Sequence, residues 1–451
     1  LKKSANEEIA LALAAYGYYA AKFDIAIDST GDCPVATVNV ADLGRESTFT
    51  DVDISILGEA NTDPAFMAVV EAIKLKPGSP LKHRSYEKAK QTLSSIAAER
   101  GYFDARFIKS RLEINPDAAE ARAIIEFDSG IRYRIGEISI NQEPALISEE
   151  LIKRFFPKGD QQTYTAETIN GINNALLQSN YFSSVDARPQ LNARETNTIP
   201  VSIDLKPRAR HSFTASAGMS TNEGIRSRLN YLNRRLNRAG HRGVLDGRAS
   251  FIAQSGSMEY LIPRGNPRAE WLTLQAGVRR ENVDSFDTVE STGSVSETKL
   301  RPFGWLETRY LRLSNQEFDI ASQSDSSLFL IPGLRWTRTT ADDELYPTKG
   351  TKYSVEIRGA AETLLSDTSF LRATVAAHWI RQLPIRSRIH FRAAFGGTWV
   401  DDFFELPPSE RFFTGGDTTI RGYEFEELGP EDDAGEVIGG TYLGLLSLEY
   451  E

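Results

Sequence analysis

The chain has 451 residues, too many for one ordinary core, so several domains are expected. Its apolar share is 40%, and no apolar run approaches the roughly 18 residues of a spanning helix; a helical membrane protein is excluded, a membrane barrel with alternating strands is not. The formal charge of −10, with no basic stripe, argues against nucleic acid as a partner, and the lone Cys33, expected to be a bland buried thiol, excludes an intrachain disulfide or a cysteine-based zinc site.

The first residues, with Lys2 and Lys3 ahead of an apolar stretch at 9–15, superficially resemble a signal peptide. Glu7 and Glu8 interrupt that pattern, and the stretch after them recurs later in the chain, so the segment is expected to belong to a folded repeat and any signal to lie upstream of residue 1.

A helical pattern ending in an aromatic pair and then a strand occurs three times, about every 80 residues, the size of a small domain. The copies end at Gly17-Tyr18-Tyr19, Gly101-Tyr102-Phe103 and Asn180-Tyr181-Phe182. Glycine, or asparagine as next best, is what a left-handed helix cap requires. The apolar residues before each cap predict amphipathic helices packed on a sheet: Ile9, Leu11 and Leu13; Ala89, Leu93, Ile96 and Ala97; Ile169, Ile172, Leu176 and Leu177. Strands are expected after the caps, as at 106–114 and 121–127 around the turn Asn115-Pro116-Asp117. Upstream in the second and third copies stand a strand and a shorter helix, at 51–57 with 64–73 and at 135–140 with 146–155. The unit is thus β-α-α-β-β. A tandem of unrelated α+β binding modules is the alternative.

From His211 the helical period gives way to alternation. Leu371, Ala373, Val375, Ala377 and Trp379 oppose Arg372, Thr374, Ala376 and His378; Ile389, Phe391, Ala393 and Phe395 oppose Arg388, His390 and Arg392. Residues 353–357 and 272–278 repeat the pattern. Runs of about ten residues suit tilted membrane strands better than a soluble sandwich. About twelve strands are expected, joined by tight turns (263–269, 383–386) alternating with longer polar loops (281–297, 315–327), which makes 401–439 the sixth outer loop.

That loop contains Arg411-Phe412-Phe413-Thr414-Gly415-Gly416-Asp417-Thr418-Thr419-Ile420-Arg421-Gly422-Tyr423. The repeats resemble POTRA (polypeptide-transport-associated) domains, and the loop resembles the signature of the outer-membrane insertase and two-partner-transporter superfamily, its wording being most similar to the TamA family of the translocation and assembly module. The resemblance implies a partial POTRA domain at 1–46, POTRA domains at 47–130 and 131–208, and an antiparallel transmembrane β-barrel from 209 to 451, stopping after about twelve of sixteen strands. It further implies that loop 401–439 folds into the lumen and that Arg421 meets an acidic wall residue, for which Glu449 stands on the inward face of the last strand. A guanidinium removed from water needs such an acceptor.

Bacterial outer-membrane localisation, with the POTRA domains in the periplasm, is implied as well. So are a TamB-like inner-membrane-anchored partner, unfolded outer-membrane or autotransporter substrates, and contact with outer-membrane lipid. The general barrel-assembly insertase and a two-partner secretion pore remain alternatives. No enzyme or cofactor is expected: His-Glu-x-x-His, Gly-x-Ser-x-Gly and Gly-x-x-x-x-Gly-Lys signatures are absent from the sequence. Carboxylate groups at 342–344 and 431–433 read as solvated loop charges.

Overall fold

The computed structural model describes residues 2–28, 35–156, 162–220, 224–343, 345–384, 387–416 and 419–451. Cys33 and Asp417 lie outside the described residues. Two compact units are present.

In the first unit, α1 (Lys2–Ala15) leads to an antiparallel hairpin of β1 (Lys22–Asp28) and β2 (Val35–Asp42). Ile9 and Leu13, four residues apart, are half-buried on one face of α1, whereas Leu11 is 70% exposed. At about 100° per residue, position 11 points away from the other two, so Leu11 does not join the face expected of it.

The next repeat runs β3 (Thr48–Leu57), α2 (Pro64–Ala72), α3 (His83–Arg100), β4 (Arg106–Asn115) and β5 (Glu120–Asp128), with sheet order β3-β5-β4. β5 is parallel to β3 and antiparallel to β4. Alternate residues of the central strand, Ala121, Ala123, Ile125 and Phe127, are buried with Phe66, Leu81, Leu93 and Ala97 in one core. α3 stops at Gly101, whose φ of +85° lets the Tyr102 N–H return 2.8 Å to the Ala97 carbonyl. Tyr102 then donates its hydroxyl to Asp63, 3.0 Å away, and Asp63 caps α2 by accepting from the Ala65 N–H. Arg100 Nε adds a 2.6 Å bond to the same carboxylate. Burial pushes the Asp63 carboxyl up, but the hydrogen bonds from Arg100 and Tyr102 and the charges of Arg100 and Arg132 outweigh it and hold the pKa below the ordinary value. Burial, then the carboxylate it serves, pushes Tyr102 up to about 12. The Gly-Tyr pair at the helix end is thus both a cap and a tie to the neighbouring helix.

A further repeat comprises β6 (Arg134–Gln142), α4 (Glu149–Lys153), α5 (Ala166–Gln178), β7 (Phe182–Pro189) and β8 (Thr198–Pro207), in sheet order β6-β8-β7. Its helix end is Asn180 at φ +61°, as Gly17 at +92° ends α1.

The second unit takes in Gln142–Phe156, Ala175–Val185 and Leu205–Glu451. Within it, Tyr181 donates its hydroxyl 2.5 Å to the Gly240 carbonyl, Arg242 bonds the Ser179 carbonyl and lies 4.3 Å over the Tyr181 ring, and the Ser148 N–H meets the Arg238 carbonyl. These contacts weld α4 and the end of α5 to the turn at 234–241.

The rest is one antiparallel sheet in sequence order: β9 (His211–Ser220), β10 (Gly224–Asn233), β11 (Arg242–Ala249), β12 (Ala253–Pro263), β13 (Trp271–Val283), β14 (Phe286–Arg301), β15 (Trp305–Ile320), β16 (Gln323–Ala341), β17 (Lys349–Ala360), β18 (Phe370–Gln382), β19 (Arg388–Val400) and β20 (Tyr442–Tyr450). This is the expected barrel-type sheet of twelve strands; among the described residues β9 and β20 do not pair, so it is not closed. Its registers run without a bulge, so paired residues share a face throughout. One face carries exposed Leu274, Leu311, Leu334, Ile357, Val375, Phe395 and Leu446; the other carries Arg312, Glu356, Arg358, Arg372, Arg392 and Glu449. An exposed apolar wall of this extent suits lipid, and the charged face suits a water-filled lumen.

The loops expected at 281–297 and 315–327 are not loops. β13 and β14 meet across residues 284–285 and β15 and β16 across 321–322, as two-residue hairpins. Their polar sequence suggested loops because these strand ends carry few apolar residues on the outer face, Val289 and Val295 among them; inward-facing Phe286, Phe318 and Ile320 are buried together instead.

Candidate functional site

The connection from β19 to β20 lies on the charged face of the sheet. It leaves β19 and buries Leu406 against Phe329, Ile331 and Phe370, then makes a 3-10 turn at Pro408–Glu410. That turn delivers Glu410, 1% exposed, to three strands at once. Its carboxylate lies 2.8 Å from Arg312 on β15 and 2.8 Å from Arg358 on β17, with Arg372 of β18 at 3.8 Å. A carboxylate this buried is stable only with such partners.

Arg411, 3% exposed, is held by acceptors of the loop and of β16: its Nε donates 2.6 Å to the Leu406 carbonyl, Nη1 3.0 Å to Ile438, and Nη2 3.2 Å to the Gln323 amide oxygen. Phe403 stacks under its guanidinium at 4.5 Å. Phe412 exchanges backbone bonds with Gly440 and receives the Arg372 guanidinium 3.8 Å above its ring. The wall is cut to fit: a Cβ on Gly396 would stand 2.4 Å from the Phe412 ring. Phe413 packs on Phe286 of β14, centroids 5.3 Å apart.

Beyond the anchor the chain reverses. Gly415 has φ +117°, and a Cβ there would sit 2.2 Å from the Glu424 carbonyl, so only glycine serves. Gly416 (φ +91°) returns its N–H to the Tyr423 carbonyl at 3.1 Å, and Gly422 has φ +101°. Arg421 Nη2 lies 3.2 Å from Glu449 Oε1 on the inward face of β20, and Glu449 also meets Arg392 at 3.0 Å. Arg421 and Glu449 are thus brought together as the sequence suggests, but the Arg421 side chain is 65% exposed and Ile420 and Tyr423 are exposed too. The more deeply buried cluster is Glu410 with its three arginines.

Glu410 went unnoticed in the sequence. The available signal was an acidic residue next to Arg411-Phe412, with arginines at inward positions of β15, β17 and β18, which pair alternation could have aligned.

Residues 256–451 match the Omp85 superfamily domain, and residues 52–130 and 133–208 match the surface antigen variable number repeat, the POTRA model. The outer membrane protein assembly factor BamA of Nitratidesulfovibrio vulgaris (strain Hildenborough) is 24% identical over 313 residues, covering 67% of this chain and 39% of that protein. The chain therefore spans about two fifths of the length of that curated relative. The crystal structure of BamA from Haemophilus ducreyi lacking POTRA domains 1–3 superposes with a TM-score of 0.71 at 12% identity, over 89% of this chain and 82% of that one, a likeness of fold. The chain belongs to the Omp85 superfamily of the bacterial outer membrane, with its POTRA repeats in the periplasm and its strands in the bilayer.

Proposed function

We propose that the chain is part of an outer-membrane assembly factor that helps β-barrel and autotransporter-type substrates into the bilayer by offering them a strand edge. The observation that carries this reading is a sheet with an apolar outer wall and its own β19–β20 loop seated on the opposite, charged face, preceded by POTRA repeats. A loop on the inner face would obstruct free passage of solute through a closed barrel, so the useful surface is the edge. An unpaired backbone group in hydrocarbon costs several kcal/mol, and pairing with a template strand removes that cost without fuel.

β9 is suited to part from a neighbour, because Ala215, Ser216, Ala217 and Gly218 give it little side-chain packing to lose. The POTRA edges, such as β4, can hold extended substrate by β-augmentation. Linking β9 to the closing strand by a disulfide in the full-length protein is expected to stop substrate insertion while leaving the barrel folded; insertion at the parent rate would reject the mechanism.

The loop wording favours the TamA family, for which a TamB-like inner-membrane-anchored protein is the partner. Affinity purification from native membranes should recover such a protein; its absence, with barrel assembly retained, would favour a general barrel-assembly role. The shared fold also admits a dedicated secretion pore, for which a secreted exoprotein would co-purify instead.

A further inference from the structure

The lipid-facing wall carries a charge pattern that the proposed function does not use. Registers from β14 to β18 place Lys299, Arg301, Arg309, Arg338, Lys349 and Arg381 on the outward face near the hairpin ends that point to the POTRA side, with Glu297 and Glu307 as the acidic members. Trp305, Trp336, Tyr353 and Trp379 stand among them on the same face. Trp379 Nε1 donates 2.9 Å to the Tyr353 hydroxyl, and Trp336 Nε1 lies 3.2 Å from Glu307. Aromatic residues collected at one depth of a membrane wall mark the headgroup level.

Glu297 pairs with Lys299, and Glu307 is shared by Arg301 and Arg309. No ion pair forms at Arg338, Lys349 or Arg381 among the described residues, and Arg338 Nε is buried without a hydrogen-bond partner. Asp342 and Asp343 in the adjoining turn direct oxygens to that turn's own N–H groups, at Thr348, Lys349, Leu345 and Tyr346. At the opposite end of the same face the sign reverses, with Asp287, Glu317 and Asp319 against Arg280.

We propose that this belt binds the anionic headgroups of phospholipids in the periplasmic leaflet, an assignment that rests on the membrane placement of the sheet. Cations held beside indole rings at the headgroup level find their counter-charge in lipid phosphate, each multiplying the preference for an anionic lipid roughly fivefold. The tryptophans fix the depth, and the unpaired cations select the headgroup.

The test uses the full-length protein in detergent, offered equal amounts of phosphatidylglycerol and phosphatidylcholine, with retained lipid counted by mass spectrometry. Phosphatidylglycerol is expected to be retained about tenfold or more over phosphatidylcholine. The variant R338Q/K349Q/R381Q should lose most of that preference and R338K/R381K should keep it. No preference in the parent, or an undiminished one in the triple glutamine variant, overturns the proposal. Should that variant not fold, a wash of the parent in about 1 M salt decides, since charge attraction is then screened beyond ~3 Å; a salt-indifferent preference overturns it. Flotation with phosphatidylcholine vesicles separates the two readings: a protein that inserts there without headgroup preference loses only the belt, whereas one that inserts in neither lipid loses the membrane placement.

Discussion

Glu410 and Asp63 are buried carboxylates whose surroundings were assembled from distant parts of the chain, and each makes a separable prediction. Glu410→Gln keeps the shape of the anchor but leaves Arg312 and Arg372 without a counter-charge and Arg358 with only Glu356, 3.9 Å away. Removing one member of a buried ion pair costs on the order of 3 kcal/mol, so the β19–β20 connection should become sensitive to protease in the variant. Arg421→Ala should change that sensitivity less, because Glu449 keeps Arg392 as a partner at 3.0 Å; equal cleavage of the two variants would contradict this division. For Asp63 the folded state holds the pKa below the unfolded one, so its contribution is present above the unfolded value and is lost as pH falls through the folded one. Asp63→Asn should reduce hydrogen-exchange protection of α2 and α3 by about 2 kcal/mol at pH 7, with the gap from the parent closing below about pH 4. Arg421 and Glu449 were legible because a dense local motif announces the first and strand alternation aims the second. Glu410 was not, because its meaning lies in three arginines on strands far away in sequence, visible only once those strands are in register.

Elements were legible where one physical rule governed them. The helix ends at Gly17, Gly101 and Asn180 follow from the left-handed cap alone, and all three have positive φ. Alternation placed β17, β18 and β19, where one side meets lipid and the other the lumen. It failed at the outer ends of β13 to β16, where too few apolar residues mark the outer face and the inward aromatic cluster is too sparse to set a period. The turn at 234–241 was invisible for another reason: Gly240 matters through the side chains that lie against it. It has φ +75°, and a Cβ there would stand 2.2 Å from Leu151 Cδ2 and 2.8 Å from the Tyr181 hydroxyl. Gly240→Ala should therefore loosen α4 and this turn by about 2 kcal/mol or more, read as faster amide exchange in both. Unchanged exchange would mean that the weld is not a stabilising contact.

For the whole molecule, the division into a lipid wall and a lumen wall is the assignment most open to direct attack. Val375 pairs with Val355 and Phe395 in the middle of the apolar wall, and Ala376, its neighbour, faces the other way. Arginine at 375 should destabilise the folded barrel by about 2–4 kcal/mol, and arginine at 376 far less. Comparing the urea midpoints of V375R and A376R in lipid vesicles tests this, and the reverse order would exchange the two faces. The POTRA-then-barrel order was readable from the repeat and the change of period. α4 and the end of α5 belong by sequence to the repeat, and by contact they group with the twelve-stranded sheet.

The two-residue hairpins joining β13 to β14 and β15 to β16 bear on how this protein looks from outside the cell. β16 has 19 residues, a length of roughly 60 Å at about 3.3 Å per residue. Tilted by about 40°, it rises well past an apolar band about 25 Å tall, so its upper end stands clear of the bilayer as hydrogen-bonded sheet. An antibody or phage approaching there meets a stiff palisade of paired strands instead of pliable tips. Its epitope would be conformational, drawn from several strands, and lost when the protein is boiled.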